Sequence, residues 1–364
     1  MFDEDFESKP IISKKKNLYK IEEGFRGYLK KYSREVEIPV QYDDLTYHSS
    51  TVPLLDKNGV DTLWETVYYS QQDMRELYPN LTMVYAILKA EGNIKVMEHL
   101  RVDRVDYCTF GNSRPFRVRI INNFNDNYDY FYVKTADASR VYGLELEHIL
   151  SPNRINYLEY KDSLIEEHIA GIPGDIFLGR HLEQEECNPT RIAKEFVKFN
   201  ERCFVHLLGD MRAYNFVIDM TPDFDDMQYR IRAIDFDQQC YEGHRRIYLP
   251  QYFKENFPYV ELCMKLMTAE SVKQYQSEER AKIASRVTVS KIRLKDLMDQ
   301  MTKDRISTDA KVDQLKAELA EHHQSRSFEK CATMGEILIQ NVKVAVGSNY
   351  RGKPLKLLRK QKHL

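Results

Sequence analysis

Asp210, Asn215 and Asp235 are residues of this 364-residue chain whose types and spacing suit chemistry. They lie in the stretch LGDMRAYNFVIDMTPDFDDMQYRIRAIDFD, from Leu208 to Asp237. Four residues separate Asp210 from Asn215, and a two-strand excursion precedes Asp235-Phe236-Asp237. A loop carboxylate in such a pattern can orient an attacking hydroxyl, while a carboxamide and a second carboxylate hold magnesium on the triphosphate of ATP. Magnesium takes hard oxygen ligands, one or two of them carboxylates and the rest water and phosphate. A single Asp before a helix or strand reads as a cap or turn residue. The spacing to Asn215, and Asp235 closing an otherwise apolar strand, set this group apart. An unpaired carboxylate at that strand end is costly, which calls for a metal or a donor partner.

The order Asp-four residues-Asn, hairpin, apolar residue-Asp-Phe resembles the catalytic and metal-binding loops of the protein-kinase-like superfamily, which includes the aminoglycoside phosphotransferases. The resemblance implies a catalytic role for Asp210, magnesium ligation by Asn215 and Asp235, and contact of Arg212 with the transferred phosphate. Upstream, Val133-Lys134-Thr135-Ala136 ends a strand where the family places the lysine that reaches the ATP phosphates. Its partner would be Glu145, favoured over Glu147, on the following helix. The segment SLIEEHIAGIPGDIF resembles the hinge that cradles adenine, around Glu166 to Ile169, which gives Glu167 and Ile169 as nucleotide contacts. Gly111, Asn112 and Ser113 are the candidate turn over the phosphates. Leu208 stands where protein kinases usually carry His, and Asp237 where they carry Gly, which is closer to the small-molecule kinase branch. No Ser or Thr occurs between Asp237 and Tyr252, so a phosphorylatable activation segment is not expected there.

The elements that must position these residues are legible as patterns. VDYCTF, FRVRII and YDYFYVKTA, separated by turn residues, predict three strands between about 102 and 136. Ser139 to Leu150 predicts a helix stopped by Ser151-Pro152-Asn153, followed by short strands in INYLEY and SLIEEHI. Asn188-Pro189-Thr190 predicts the start of a helix running to about Leu207. NFVIDM and YRIRAIDF predict two strands joined through Thr221-Pro222-Asp223. Earlier, Asp61 to Tyr69 and Leu81 to Ala90 read as helices, the second with Asn80 as N-cap. Beyond Tyr259 the chain reads as mostly helical, including Lys295 to Glu321. Trp64 is expected in the core and His322-His323 on the surface.

The expected fold is α+β: a two-lobed kinase-like arrangement with a small antiparallel-sheet N-lobe and a mostly helical C-lobe. The expected divisions are a flexible arm over 1–20, a mixed or helical extension over 21–100, the N-lobe and hinge over 101–170, the C-lobe over 171–350 and a basic tail over 351–364. The chain carries 54 Lys and Arg against 56 Asp and Glu, a formal charge of -2, so net charge gives no argument for nucleic acid. The tail, from Arg351 to Lys362 with no acid, suggests at most a contact with nucleic acid or an anionic surface. Six scattered cysteines without a CxxC pair exclude the usual zinc spacings and a disulfide framework. With no apolar leader or membrane-length apolar run, the expected compartment is the cytoplasm. The expected function is an ATP- and Mg2+-dependent phosphotransferase acting on a hydroxyl of a protein or small-molecule acceptor. The alternative is a pseudokinase serving as a nucleotide-binding or structural interaction module, which the few glycines near 111 and the missing loop His favour.

Overall fold

A computed structural model describes residues 16–90, 98–109, 113–185, 187–224 and 226–347. Gly111, Asn112 and the basic tail from Arg351 lie outside the described residues. The architecture is α+β, and the chain divides into two compact units.

One unit holds the described residues of Lys15–Asp137 together with Ile155–His168. It contains helix α1 (Glu23–Lys31), strands β1 (Ser50–Leu55) and β2 (Asp61–Tyr68), and helix α2 (Gln71–Ala90). Strands β3 (Leu100–Cys108), β4 (Phe116–Asn122), β5 (Tyr128–Thr135), β6 (Tyr157–Tyr160) and β7 (Ser163–Glu167) follow. All seven form one antiparallel sheet in the order β1-β2-β3-β4-β5-β7-β6. The period-two alternation of β4 puts Phe116, Val118 and Ile120 in the core. Leu81, Val84 and Leu88 of α2 belong to the same apolar cluster, so the helix covers that face of the sheet. The segments expected as a separate extension and as the sheet therefore share one core. Residues 16–20, expected within a flexible arm, are anchored: Lys16 pairs with Asp137, and the Tyr19 amide donates to Asp137 Oδ1 at 2.7 Å.

The segment Asp61 to Tyr69 is a strand rather than the expected helix. Its Thr62, Trp64, Thr66 and Val67 fit a pleated surface better than a helical one, and pairing with β1 and β3 decides the matter. Trp64 is only half-buried, under the Arg117 guanidinium at 4.3 Å from its ring centre. Helix α2 starts a full ten residues before the expected Leu81. Ser70 supplies its start signal, its hydroxyl accepting from the Asp73 amide at 3.2 Å, and Asn80 is interior. Pro79 is accommodated inside the helix at the loss of one backbone bond.

The other unit holds the described residues of Ala138–Arg154 and Ile169–Leu364. It begins with helix α3 (Ala138–Leu150) and continues with β8 (Ile172–Pro173), α4 (Gly174–Arg180), α5 (Pro189–His206), β9 (Phe216–Asp223) and β10 (Asp226–Ala233). Helices α6 (Phe257–Leu266), α7 (Ala269–Val289), α8 (Lys291–Met301), α9 (Asp309–His322) and α10 (Met334–Gly347) complete it. The expected helical run from Lys295 to Glu321 is thus two helices with a break between Met301 and Asp309. Thr308 restarts the chain as an N-cap, its side chain accepting from the Lys311 amide. Strands β9 and β10 reach Asp223 and Asp226, so the hairpin turn lies beyond the expected Thr221-Pro222-Asp223.

Helix α5 is the axis of this unit. Asn188 caps it by accepting from the Arg191 amide at 3.2 Å, and Pro189 occupies the first turn. Its Phe196 stacks on Tyr259 at 5.1 Å. Asn341 of α10 donates to the carbonyls of Phe204 and Val205, which satisfies part of the open C-terminal end. All six cysteines are free, and five are buried. His322 is exposed while His323 is half-buried. Among the described residues no helix is long and apolar enough to cross a membrane.

Candidate functional site

The geometry around Asp210 begins at the end of α5. Leu207 leaves the helix in the left-handed region at φ 52°, and the Leu208 amide returns to the Cys203 carbonyl at 2.9 Å. Asp210 is itself left-handed at φ 57°, a conformation that Asp tolerates better than most side chains. Its amide is held by the Ile247 carbonyl at 3.1 Å. Three further bonds close the turn that follows. The Arg212 amide donates to Asp210 O, the Asn215 amide to Arg212 O, and Asn215 Nδ2 to Asp210 O at 2.8 Å.

Arg212 fixes the carboxylate's direction. Its Nε donates to Asp210 Oδ1 at 2.8 Å, and its Nη1 to Glu255 Oε1 at 2.9 Å, with Phe253 beneath the guanidinium. Burial works against that charge, but Asp210 and Glu255 outweigh it and raise the Arg212 pKa. The Asn215 Oδ1 takes no hydrogen bond among the described residues, because the amide nitrogen alone makes the link to Asp210. The Asn215 carbonyl accepts from the Ile234 amide at 3.0 Å, so Asp235 follows directly on the residue bonded to Asn215.

Asp235 is held from α3. Arg140, nearly fully buried, sends Nη1 to Asp235 Oδ1 at 2.9 Å and to Asp237 Oδ1 at 2.6 Å. Its position gave no sequence signal beyond a basic residue on a helix. The same helix sets the backbone of the loop. Ser139 Oγ donates to the Gln239 carbonyl at 2.7 Å, and a Cβ at Gly143 would stand 3.0 Å from the Phe236 Cβ. Gln239 ties the two loops together, its Nε2 donating to the His206 carbonyl at 2.6 Å. The Gly209 amide meets Gln238 O, and the Cys240 amide meets Leu207 O, so the Asp210 and Asp235 loops run side by side. Asp210, Arg212, Asn215 and Asp235 are therefore brought together as one cluster.

Of the remaining predicted residues, Lys134, Glu167 and Ser113 belong to the sheet unit, Glu145 and Ile169 to the helical one. Lys134, on β5, pairs with Glu166 on β7 at 2.7 Å, both side chains buried. Glu166, expected in the hinge, lies on β7 in register with Tyr132, which places its carboxylate beside the lysine. Glu167 accepts from the Asn156 amide at 2.7 Å and from Lys89 at 3.1 Å. Ser113 is half-buried in a bend of the same unit. Glu145 and Ile169 belong to the helical unit, where Glu145 accepts from Arg293 Nε at 2.6 Å. Glu147 is buried in a separate ionic network with Arg202 and His206.

The chain matches no family model and no curated protein. Among the described residues no group of three or more His, Cys, Asp or Glu side chains converges to hold a metal. The donors near Asp210 are instead one carboxamide oxygen and the Asp235 carboxylate. Both are oxygen donors, the ligand type magnesium takes, and Asp235 Oδ1 already accepts from Arg140.

Gly174, the first residue of α4, supports this cluster from below. A Cβ there would overlap the Phe216 ring and approach the Ala213 carbonyl to 2.6 Å, inside the turn between Arg212 and Asn215. Gly174→Ala is expected to lower stability by about 1–3 kcal/mol, the usual cost of overpacking. Urea unfolding of the two proteins measures it.

Proposed function

We propose that the protein is an ATP- and magnesium-dependent phosphotransferase that moves the γ-phosphoryl group to a hydroxyl of a protein or small-molecule acceptor. The observation that carries this reading is the closed turn joining Asp210 to Asn215, and through the Asn215 carbonyl to the residue before Asp235. Asp210 would accept the hydroxyl's proton and aim it, with Arg212 holding one carboxylate oxygen in place. Arg212 would also meet the transferred phosphate, and Lys134 the phosphates of ATP, as the resemblance to kinase-like enzymes implies. Asn215 and Asp235 would hold magnesium, which when bound neutralises charge developing between the β- and γ-phosphates. The kinase-like two-lobed fold is part of the same proposal.

A second reading draws on Arg140. Its guanidinium already balances Asp235 and Asp237, which favours a pseudokinase acting as a nucleotide-binding or structural module.

Thermal unfolding tests for the site common to the catalytic and nucleotide-binding forms. ATP with magnesium, near 100 times its dissociation constant, is expected to add about 2.7 kcal/mol, a rise in Tm on the order of 5 °C. Neither component alone reproduces it, and Asp235→Asn removes it. No rise in the parent protein would refute nucleotide binding and leave only the structural module.

A further inference from the structure

A cavity of about 260 Å³ opens in the helical unit, lined by residues of α5, α7, the Arg245–Tyr252 segment and His322. None of the residues assigned above to phosphoryl transfer lines it. Its walls combine two kinds of surface. Phe196, Phe204, Leu249 and Val272 are apolar, with the Tyr252 ring beside them. Arg245, Lys273 and Arg280 bring three cations against one lining carboxylate, Glu201.

That carboxylate is already committed, since Glu201 Oε1 accepts from Arg280 Nε at 2.5 Å and is itself buried. Neither the Arg245 guanidinium nor the Lys273 ammonium pairs with a carboxylate among the described residues. The Arg245 contact that does exist is through its backbone amide, to Glu318. The cavity therefore has two positive charges in excess of its own neutralisation. A guanidinium fork beside an ammonium is a recognition surface for phosphate oxygens.

We propose that this cavity binds the phosphomonoester of a small aromatic group. A phosphomonoester carries about 1.5 to 2 negative charges at neutral pH, which matches the excess. Inorganic phosphate would satisfy the cations but leave the apolar wall uncovered. An aromatic body meets Phe196, Phe204 and Tyr252, whose rings favour stacked or edge-on partners. The segment that lines the cavity also supplies the Ile247 carbonyl to the Asp210 amide, so the two sites share one piece of backbone.

Phenyl phosphate, inorganic phosphate and phenol, each titrated into the full chain by calorimetry, test the proposal. Phenyl phosphate is expected to bind at least about tenfold more tightly than either fragment. The double variant Arg245→Gln, Lys273→Gln should weaken it by a further tenfold or more, with unchanged unfolding in the absence of ligand. Lys273 is exposed, so the single variant Lys273→Gln serves if the double one unfolds, and a severalfold loss is expected. Asp235→Asn should leave phenyl phosphate binding unchanged, which separates this cavity from the phosphoryl-transfer cluster. No binding of phenyl phosphate overturns the proposal. So does equal binding of inorganic phosphate, full affinity in the folded variants, or loss of binding in Asp235→Asn.

Discussion

Asp210→Asn is expected to reduce ATP turnover, read as slow hydrolysis or self-phosphorylation, by about 10³-fold, within the range for loss of a general base. The substitution keeps shape and a hydrogen-bond acceptor. An Asn Oδ1 can still accept from Arg212 Nε, and Arg212 keeps Glu255 as its second partner. The turn is held by backbone, through Asp210 O and the Ile247 carbonyl, and does not need the carboxylate. The stability cost is therefore expected near 1 kcal/mol. Because Asp210 is not assigned to the metal, the Tm rise with ATP and magnesium should survive, whereas Asp235→Asn removes it. A coupled ATPase assay beside the thermal measurement separates the two effects. Turnover unchanged in Asp210→Asn would sink the catalytic assignment; a Tm rise without turnover in the parent would favour the pseudokinase.

The parts of this cluster legible in sequence are those set by neighbours along the chain. Asn188-Pro189 announces the start of α5 because a cap and a pre-set φ act within one turn. The Asp210–Asn215 spacing is local as well, and the turn closes through bonds spanning only a few residues. The β-branched and aromatic runs of β4 and β5, bounded by turn residues, identify strands for the same reason. What escaped detection depends on distant partners. Arg140 meets Asp235 across 95 residues of chain, and nothing near Arg140 distinguishes it from any helical arginine. Glu166 reads as one of two adjacent acids until strand register places it beside Lys134. The error at Asp61 to Tyr69 has the same origin: its apolar spacing admits either period, and β1 and β3 as neighbours select the strand. The start of α2 lies ten residues before Leu81, and Pro79 is carried inside the helix because its flanking turns bury apolar side chains on the sheet.

The largest stability effect is expected at the ionic network joining α3, α5 and α7. Arg202 Nη1 pairs with Glu279 Oε1 at 2.6 Å, its Nη2 donates to the Ile231 carbonyl at 2.8 Å, and its Nε stands 4.0 Å from Glu147 Oε1. All three ionic side chains are buried. Arg202→Met removes a buried charge shared by both carboxylates and takes away one donor to the Ile231 carbonyl. A loss of about 3–5 kcal/mol is expected, as for any buried pair broken from one side. Urea unfolding measures it, and a loss below 1 kcal/mol would show that the network is not a stabilising unit. Glu147 supplies an independent readout. Burial alone would push its carboxyl up, but His206 and Arg202 outweigh burial and hold it down at about 2, below the ordinary 4.5. The unfolded chain therefore binds a proton at Glu147 that the folded chain does not, so stability rises with pH between about 2 and 4.5. Above that window the contribution is present, and acidification towards pH 2 removes it. Glu147→Gln should flatten this limb of the stability profile. Asn153 Nδ2, which donates to Glu147 Oε1 at 3.1 Å, can donate equally to the Gln carbonyl oxygen. The flattening therefore reports the lost charge rather than a lost hydrogen bond, and an unchanged acid limb in the variant would assign the pH dependence to other carboxylates.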